Sequence, residues 1–357
     1  MLGLAAEGIP VTWLPTVWNG RTPGGFEPFT GEDVGDPDLA PFCNRRIDYD
    51  TVIIHTAPEL YSYFVEKEEG KRITGMTVWE TDRLPEFWLP LIDQVEHIIV
   101  PCQWNKDVFL RSGVRRPVDV IPHILVDRSA VERSKSLGIR KGDYVFYTIG
   151  DWSPRKAVWK TVRAYLDAFT SRDPVVLVVK TSRLDETRFV KRRFLGRRIF
   201  LTHLSIFSLC RGYRQPARIK LIPRQISDGK INALHERGDC FVSLTNSEGW
   251  GLGAFDAAGA GNPVIMTGYG GQLDFLPPDL AYLVDFDIVP VVGGKFQRSY
   301  SNKQNWAAAK LDHASRLYRH VFENRAEARR KGRKLQEFAR MNFSPKKVVS
   351  QLIEALS

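Results

Sequence analysis

A chain of 357 residues is longer than one hydrophobic core usually serves, so the length predicts two domains. The hydrophobic content of 43% is ordinary for a globular protein, no apolar run is long enough to cross a bilayer, and the amino terminus lacks the pattern of a signal peptide. The four cysteines lie far apart without a CxxC spacing, which argues against a disulfide framework and a zinc site and favours reduced thiols in the cytoplasm.

The net charge of +10 is compatible with an anionic lipid, a nucleic acid or a phosphorylated substrate, and also with a basic surface that binds none of them. Basic residues are densest over 188–198, where they alternate with aromatic and aliphatic residues. This pattern is compatible with a helix on the inner face of a membrane and, more commonly, with a solvated helix face. No nucleic-acid-binding motif accompanies the charge, so nucleic acid is not an expected partner.

The first half of the chain alternates short apolar segments with longer helical patterns. Strands are predicted at 11–14, 51–54, 75–79, 97–100 and 118–121. Helices are predicted at 58–68, 85–95 and 103–112. Such alternation favours a parallel sheet covered by helices. Residues 2–8 resemble the end of a first helix, so we expect this domain to lack its first strand and the glycine-rich turn that follows it.

A polar connector is predicted at 127–142, and a second alternating series follows it. Its predicted strands are 144–149, 175–179, 219–222, 240–244 and a short apolar strand after the Gly-Asn-Pro of 261–263. Its predicted helices are 156–170, 228–237, a short one bearing Asp256, a long one from about 306 to 340, and 345–356. We therefore expect an N-terminal domain over 1–138, a C-terminal domain over 139–335, and a final helical segment, 336–357, that crosses back to the first domain.

The most informative segment is 247–271, which is rich in glycine and carries two carboxylates, Glu248 and Asp256. An apolar strand leads into it, a short helix lies within it, and a second glycine pair, Gly270 and Gly271, closes it. The exposed backbone N–H groups and the dipole at a glycine-lined helix start suit a phosphate. Ionised carboxylates only accept hydrogen bonds, so they suit sugar hydroxyls.

Three segments together resemble glycosyltransferase family 4, whose fold is GT-B. The first is Glu-x7-Asp at Glu248 and Asp256, where the family carries Glu-x7-Glu. The second is 147–157, with Asp151 at a position where the family commonly has arginine, and the third is 99–123. The resemblance covers nearly the whole chain and implies an α/β fold of two facing Rossmann-like domains with parallel sheets.

The resemblance also implies a donor site. Arg155 and Lys156 would bind the diphosphate of a nucleotide-sugar, where cations stabilise developing negative charge, and Glu248 would accept from the transferred sugar. Asp256 would accept from the ribose. The other donor-binding residues implied are Gly249, Trp250, Gly251, Leu252, Lys180, Gly270 and Gly271. Other interpretations stay open: a solvated basic pair, a solvent-facing Asp256, a surface lysine at 180, core packing of Trp250 and an ordinary turn at the glycine pair.

Acceptor-side residues are expected after the strand at 75–79. Glu80, Thr81 and Asp82 lie where the family places polar residues, although its frequent histidine is absent. Thr81 and Asp82 are equally compatible with a helix N-cap and a first-turn acid. His55, at a predicted strand end, is a further candidate, although a lone histidine there is more often structural. His123 reads more readily as a packing residue than as a catalyst.

The function implied is that of a cytoplasmic retaining glycosyltransferase, with Glu248, Arg155 and Lys156 as its catalytic residues. It would move a sugar from a nucleotide-diphosphate-sugar to a glycan or lipid-linked acceptor, such as a growing surface polysaccharide. No metal-ligand spacing is found, and Asp285 and Asp287 lie in a late apolar segment, so no metal or cofactor is expected. The alternative is a nucleotide-sugar-binding protein without transfer activity, either an epimerase or hydrolase or an inactive scaffold.

Overall fold

The computed structural model describes residues 1–18, 26–126, 139–140, 142–187, 201–292 and 299–357. The basic segment at 188–198 lies outside the described residues, and so does most of the connector at 127–142. The membrane-surface helix considered for 188–198 therefore stays a prediction. In the parts of the chain that are described, no helix is long and apolar enough to cross a membrane.

The N-terminal part contains a parallel sheet of four strands that lie side by side in chain order. A short antiparallel pair, β1 (Thr16–Trp18) and β2 (Phe26–Pro28), precedes it. The sheet strands are β3 (Thr51–His55), β4 (Arg72–Met76), β5 (His97–Val100) and β6 (Val118–Val120). The helices of this part are α1 (Leu2–Ala6), α2 (Tyr61–Val65), α3 (Leu89–Ile92) and α4 (Gln103–Arg111).

Two strand predictions in this part were wrong in detail. Residues 11–14 form no strand, and Trp13 only makes an isolated bridge with Cys43. The strand predicted at 75–79 begins and ends three residues earlier, because β4 pairs in register with β3 over its whole length. After β4 the chain leaves the sheet, and the backbone N–H of Trp79 donates to the side chain of Asn105 instead of a strand. The segment after residue 76 is therefore a loop at the carboxyl edge of this sheet.

The C-terminal part contains a parallel sheet of six strands in the order β12-β11-β10-β7-β8-β9. These strands are β7 (Tyr144–Ile149), β8 (Val175–Lys180), β9 (Ile219–Ile222), β10 (Cys240–Ser243), β11 (Val264–Thr267) and β12 (Tyr282–Val284). Its helices are α5 (Val158–Ala168), α6 (Thr202–Cys210), α7 (Asp228–Arg237) and α8 (Leu252–Gly259). From β7 the chain builds outward to β9 and then returns to build β10 to β12 on the other side. The reversal makes β7 and β10 neighbours and opens a crevice beyond their carboxyl ends.

A hairpin and three helices complete the chain: β13 (Phe286–Pro290), β14 (Asn305–Ala309), α9 (Leu311–Glu323), α10 (Arg325–Asn342) and α11 (Pro345–Leu356). The helix predicted from 306 was wrong at its start, because 305–309 pair antiparallel with β13. The N–H of Ala307 also donates to the carbonyl of Asn246, 2.9 Å away. These tertiary hydrogen bonds override the helix propensity of three consecutive alanines. The long helix is also interrupted at Asn324.

The final helix contacts the N-terminal sheet. Val348 of α11 is buried together with Ile99 of β5 and Ile121, just after β6. Gly3 of α1 lies directly on Val349, whose Cγ2 would be 2.3 Å from a Cβ at residue 3. The chain therefore crosses from the C-terminal sheet back to the N-terminal sheet at its end, and the domain boundaries assigned from the sequence stay a prediction.

Candidate functional site

The candidate site lies beyond the carboxyl ends of β7 and β10, where the strand order reverses. Arg155 and Lys156 stand in the loop between β7 and α5, and Glu248 stands in the loop between β10 and α8. Loops that leave neighbouring parallel strands at the same end emerge side by side. Residues more than ninety positions apart in the sequence therefore meet. The two loops are also joined by a hydrogen bond from the backbone N–H of Asn246 to the carbonyl of Arg155, at 2.8 Å.

Glu248 is paired with both cations. Its Oε2 lies 2.9 Å from Nη1 of Arg155, and its two carboxylate oxygens lie 2.7 and 2.8 Å from Nζ of Lys156. Arg155 also donates to the carbonyl of Ser247 at 3.0 Å, and the Thr245 hydroxyl lies 3.2 Å from Oε1 of Glu248. Only 6% of the Glu248 surface is exposed. Such charge-assisted hydrogen bonds in a water-poor setting fix the three side chains relative to one another.

Burial and pairing act in opposite directions on these groups. Burial alone would raise the pKa of Glu248, but the charges of Arg155 and Lys156 outweigh it and hold that pKa below its ordinary value. Burial likewise opposes the charged form of Arg155, while Glu248 and then Glu80 raise its pKa. Glu248 and Arg155 are therefore ionised at neutral pH, and the site holds fixed charges of both signs.

A strained residue lies next to the cation pair. Ala157, between Lys156 and the first turn of α5, has φ +46° and ψ +37°, which is left-handed for a non-glycine residue. It is fully buried, and its N–H donates to the carbonyl of Ser153 at 2.9 Å. This tight turn aims the Lys156 side chain back over the carboxyl end of β7 rather than along α5. Backbone strain of this kind clusters at functional sites.

The glycines of the predicted donor loop make room for protein backbone. A Cβ on Gly271 would lie 2.0 Å from the carbonyl oxygen of Gly249 and 2.6 Å from Sγ of Cys102. A Cβ on Gly249 would lie 2.0 Å from Cγ2 of Val78 in the N-terminal part. Gly270 has φ +106°, and Gly251 has φ +98° where α8 begins. The two glycine loops are therefore stacked on each other and on the N-terminal part, which places α8 with its first turn toward the crevice.

Trp250 and Leu252 occupy different environments. The indole of Trp250 is buried among Phe275, Phe343 and the ring of His123, with ring centroids 5.0, 5.4 and 5.6 Å away. Packing is therefore the role of its side chain, which leaves only its backbone for a ligand. The Leu252 side chain is 55% exposed at the start of α8.

Asp256 lies in the helix that follows the Glu248 loop, and Lys180 lies at the end of the strand beside β7. Asp256 sits in the second turn of α8, half-buried, and acts together with burial to raise the pKa of Tyr147 in β7. Lys180 is the last residue of β8, and its carbonyl accepts from Gly150 N at 3.1 Å, so it flanks the end of β7. The structure thus brings Arg155, Lys156 and Glu248 together, and Lys180 ends the strand that lies beside β7.

Of the acceptor-side candidates, Glu80 reaches the cluster. Its Oε1 lies 3.5 Å from Nη2 of Arg155, and its Oε2 accepts from the hydroxyl of Tyr300 at 2.7 Å. Thr81 is fully buried, accepts from the indole N–H of Trp79 at 2.7 Å and donates to the carbonyl of Arg83 at 2.8 Å. The interpretation of Thr81 as a helix N-cap was wrong, because the next helical turn begins only at Glu86.

Asp82 is held by the C-terminal part. Its two carboxylate oxygens accept from the backbone N–H and the side-chain amide of Asn305, at 2.6 and 2.8 Å. The interpretation of Asp82 as a first-turn acid was therefore also wrong. The carboxylate instead anchors the loop after β4 to the start of β14.

The two histidines lie at the edge of the N-terminal sheet. His55 ends β3 and keeps solvent access, yet the surrounding protein lowers its pKa. Burial, assisted by His55, lowers the pKa of His123 to about 4. The His123 ring packs at a tilt against Trp250, which agrees with its interpretation as a packing residue. Both rings are neutral at pH 7.

Sequence reasoning missed Tyr300 and Thr245. Thr245 lies two residues after the end of β10, and a polar residue in that position is a signal that the sequence carried. Tyr300 stands in the hairpin between β13 and β14, and no local pattern links it to Glu80, 220 positions away. Among the described residues there is also no group of three His, Cys, Asp or Glu side chains placed to hold a metal ion.

Comparison with solved structures shows the fold. HepE from Anabaena, in complex with UDP and glucose, is 15% identical, with 86% of this chain and 78% of that chain covered and a TM-score of 0.63. Sucrose-phosphate synthase from Thermosynechococcus elongatus is 15% identical over 86% and 72% of the two chains, with a TM-score of 0.63. The α,α-trehalose 6-phosphate synthase from Burkholderia multivorans is 12% identical over 86% and 71%, with a TM-score of 0.60.

The chain therefore has the GT-B fold, two facing Rossmann-like domains with parallel sheets. No protein-family model matches the sequence, and no curated protein matches it either. The expected α/β architecture is confirmed, and its assignment rests on tertiary structure.

Proposed function

We propose that this chain is a metal-independent retaining glycosyltransferase of the family 4 type, which uses a nucleotide-diphosphate-sugar and a glycan or lipid-linked acceptor. One observation carries the proposal: Arg155, Lys156 and Glu248 converge at the crevice where the strand order of the C-terminal sheet reverses. In open α/β sheets this is where nucleotides and their phosphates bind. HepE, a structural neighbour, was solved with UDP and with UDP-glucose.

In the proposed reaction the bond between the anomeric carbon and the phosphate oxygen breaks, and its electron pair stays on the phosphate. Arg155 and Lys156 offer two fixed cations to that developing charge, which is the role of preorganised donors in a transition state. Glu248 accepts hydrogen bonds from the hydroxyls of the departing sugar. Asp256 is assigned to the ribose, since it lies in the second turn of α8, the helix that follows the Glu248 loop.

Retention of configuration requires the acceptor oxygen to bond the anomeric carbon on the face that the phosphate leaves. The acceptor proton then passes to a phosphate oxygen on that face, so no strong protein base is needed. This agrees with the acceptor-side residues described: Glu80 is engaged with Arg155 and Tyr300, and Thr81 and Asp82 are committed to protein hydrogen bonds. Of these four acceptor-side candidates, His55 is the most exposed.

The first test is donor binding. The thermal midpoint is measured with UDP-, GDP- and ADP-sugars, because a ligand that binds only the folded state stabilises it by mass action. We expect one nucleotide to raise the midpoint, and Lys156→Ala to weaken its binding at least tenfold through loss of a charge-assisted contact. Lys346→Ala, on the exposed side of α11, is the matched control. Equal affinity in Lys156→Ala and the wild type would remove the lysine from the site.

The second test is stereochemistry, read without knowing the acceptor. Water enters the acceptor position slowly, and the anomer of the first sugar released is followed by NMR. An α-linked donor should release the α-anomer. Release of the β-anomer would overturn retention. Tight donor binding without any release, with or without added acceptor glycans, would favour the binding protein without transfer activity.

A further inference from the structure

A segment of the hairpin in the C-terminal part is hydrogen-bonded to the N-terminal part. This strap, residues 299–305, runs into β14. The Ser299 hydroxyl donates to Glu59 at 2.6 Å, and the Tyr300 hydroxyl donates to Glu80 at 2.7 Å. At its end, Asn305 binds Asp82. The Tyr300 ring stacks on Trp79, with centroids 5.0 Å apart and planes 24° apart.

Only one of these contacts continues into the candidate site. Glu80 receives the Tyr300 hydroxyl on one oxygen and faces Nη2 of Arg155 with the other, 3.5 Å away. Arg155 is bonded through Nη1 to Glu248, which is bonded to Lys156. The Glu80 and Arg155 side chains are 19% and 22% exposed, so water screens their attraction incompletely. A continuous chain of polar contacts thus joins Tyr300 to the cation pair.

The formal charges of the four side chains in this network of contacts cancel. Arg155 and Lys156 are positive, and Glu80 and Glu248 are negative, so their sum is zero. A nucleoside diphosphate brings further negative charge and competes with both carboxylates for the cations. Glu80 is the weaker competitor, since it lies 3.5 Å from Arg155 whereas Glu248 lies at 2.9 Å and is also bonded to Lys156. It is therefore the carboxylate whose removal changes the affinity for an anion with the least disruption of the cluster.

We infer that Glu80, held in place by the Tyr300 hydroxyl, is a counter-charge to Arg155 that keeps the affinity for the nucleoside diphosphate moderate. The N-terminal part thereby regulates phosphate binding in the C-terminal part, and it favours release of the diphosphate after transfer. The inference rests on the proposed function, since it assumes that Arg155 and Lys156 bind a diphosphate.

Removing the charge separates this role from a structural one. In Glu80→Gln the cluster carries one net positive charge. The attraction of one such charge for a diphosphate a few ångströms away, in a partly screened site, corresponds to roughly tenfold tighter binding. We expect the donor KM and the Kd of the nucleoside diphosphate to fall, and kcat to fall as well, because release slows. Loss of a merely structural contact would weaken binding instead. Tyr300→Phe keeps the stack on Trp79 but removes the hydroxyl that holds Glu80 beside Arg155. Glu80 then opposes Arg155 less effectively, so this variant should also tighten binding, but less strongly.

The experiment measures the Kd of UDP, or of whichever nucleoside diphosphate stabilises the wild type most, by calorimetry on the full chain. The variants are Glu80→Gln, Tyr300→Phe, the double variant, and Ser299→Ala as a control that removes another strap contact, to exposed Glu59. Support requires tighter binding in both single variants, no further gain from Tyr300→Phe in the Glu80→Gln background, and wild-type affinity in Ser299→Ala.

Unchanged or weaker binding in Glu80→Gln would overturn the inference, and so would additive effects in the double variant. Equal changes in Ser299→Ala and Tyr300→Phe would show that the strap as a whole sets affinity, which also overturns it. Tyr300→Phe keeps the test decisive should Glu80→Gln fold poorly. Lys156→Ala distinguishes the two levels: if it leaves UDP binding intact, the proposed function fails, and if it weakens binding while Glu80→Gln does not tighten it, only this inference fails.

Discussion

The carboxyl edges of the two sheets use their polar residues differently. At the C-terminal edge, Arg155, Lys156 and Glu248 come from two loops and bind one another. At the N-terminal edge, Thr81 and Asp82 follow one strand, and their side chains are committed to the fold. Both edges looked alike in sequence, since each offered charged residues after an apolar strand.

Strand order explains the difference. The six-stranded sheet reverses direction between β7 and β10, so the loops after these strands leave a crevice between them. The four described strands of the N-terminal sheet follow one another without a reversal. The loop after β4 therefore has no partner loop from a switch point, and it is fixed instead by hydrogen bonds to Asn105 and Asn305. Convergence of loops, rather than polarity of one loop, marks a candidate site.

The largest expected effect lies at the C-terminal edge. Glu248→Gln is nearly isosteric but removes the charge that pairs with both cations, so we expect turnover of the donor to fall at least about 100-fold. Initial rates measure the effect, and the thermal midpoint reports any loss of folding. Glu59→Gln, an exposed acid at the N-terminal edge, should turn over like the wild type. Near-normal rates in Glu248→Gln would show that the C-terminal edge is no more important for turnover than the N-terminal edge.

The stacking of the glycine loops predicts the next effect. A Cβ at Gly271 would meet backbone and a buried thiol, neither of which can swing away, so Gly271→Ala should lower the free energy of unfolding by about 2 kcal/mol or more. Gly150→Ala is the control, because its Cβ would lie at an ordinary 3.8 Å from its neighbours. Urea denaturation compares the two. Equal midpoints would show that the loops are less tightly stacked than described.

Acid should weaken the two regions in different pH windows. Because the pKa of His123 is lowered to about 4, the unfolded chain binds a proton below pH 6.5 that the folded chain does not, so stability falls as pH drops from 6.5 toward 4. A shift of this size corresponds to roughly 3 kcal/mol. The pKa of Glu248 is also lowered in the folded chain. The stability that its charge contributes is therefore lost in a more acidic range, as the pH falls from the ordinary pKa of a glutamate toward the lowered one.

The variant His123→Gln separates these windows. Its unfolding free energy, measured in urea from pH 7 to pH 4, should decline less than that of the wild type. Part of the decline should remain, because burial also lowers the pKa of His55. A decline in the variant as steep as in the wild type would assign the acid sensitivity to other groups.

The smallest effect is expected at Asp82. Asp82→Ala removes two hydrogen bonds to Asn305 and should lower the free energy of unfolding by about 1 kcal/mol. Affinity for the nucleoside diphosphate should stay within about twofold of the wild type, since Asp82 does not touch the cation pair. A tenfold loss of affinity would return Asp82 to the functional residues.

The sequence by itself determined the local helices and strands and the types of functional side chain in each loop. The bounds of β7, β9, α7 and α11 agree with the prediction, since burial of apolar residues at a fixed period is a local property. The glycines and acids of 247–271 likewise predicted a loop and helix start suited to an anion. Where a long-range partner decided the local state, as at β14, the prediction failed, because its three alanines favour a helix locally and the pairing with β13 makes them a strand.

Only the tertiary structure decided which side chains meet. The contact of Glu80 with Arg155 and Tyr300 depends on how the strap lies across the N-terminal edge, and the binding of Asp82 to Asn305 depends on the same segment. Periodicity along a chain reports what each residue faces. It carries no measure of the distance between loops, because that distance is set by strand order and by the packing of one sheet domain against the other.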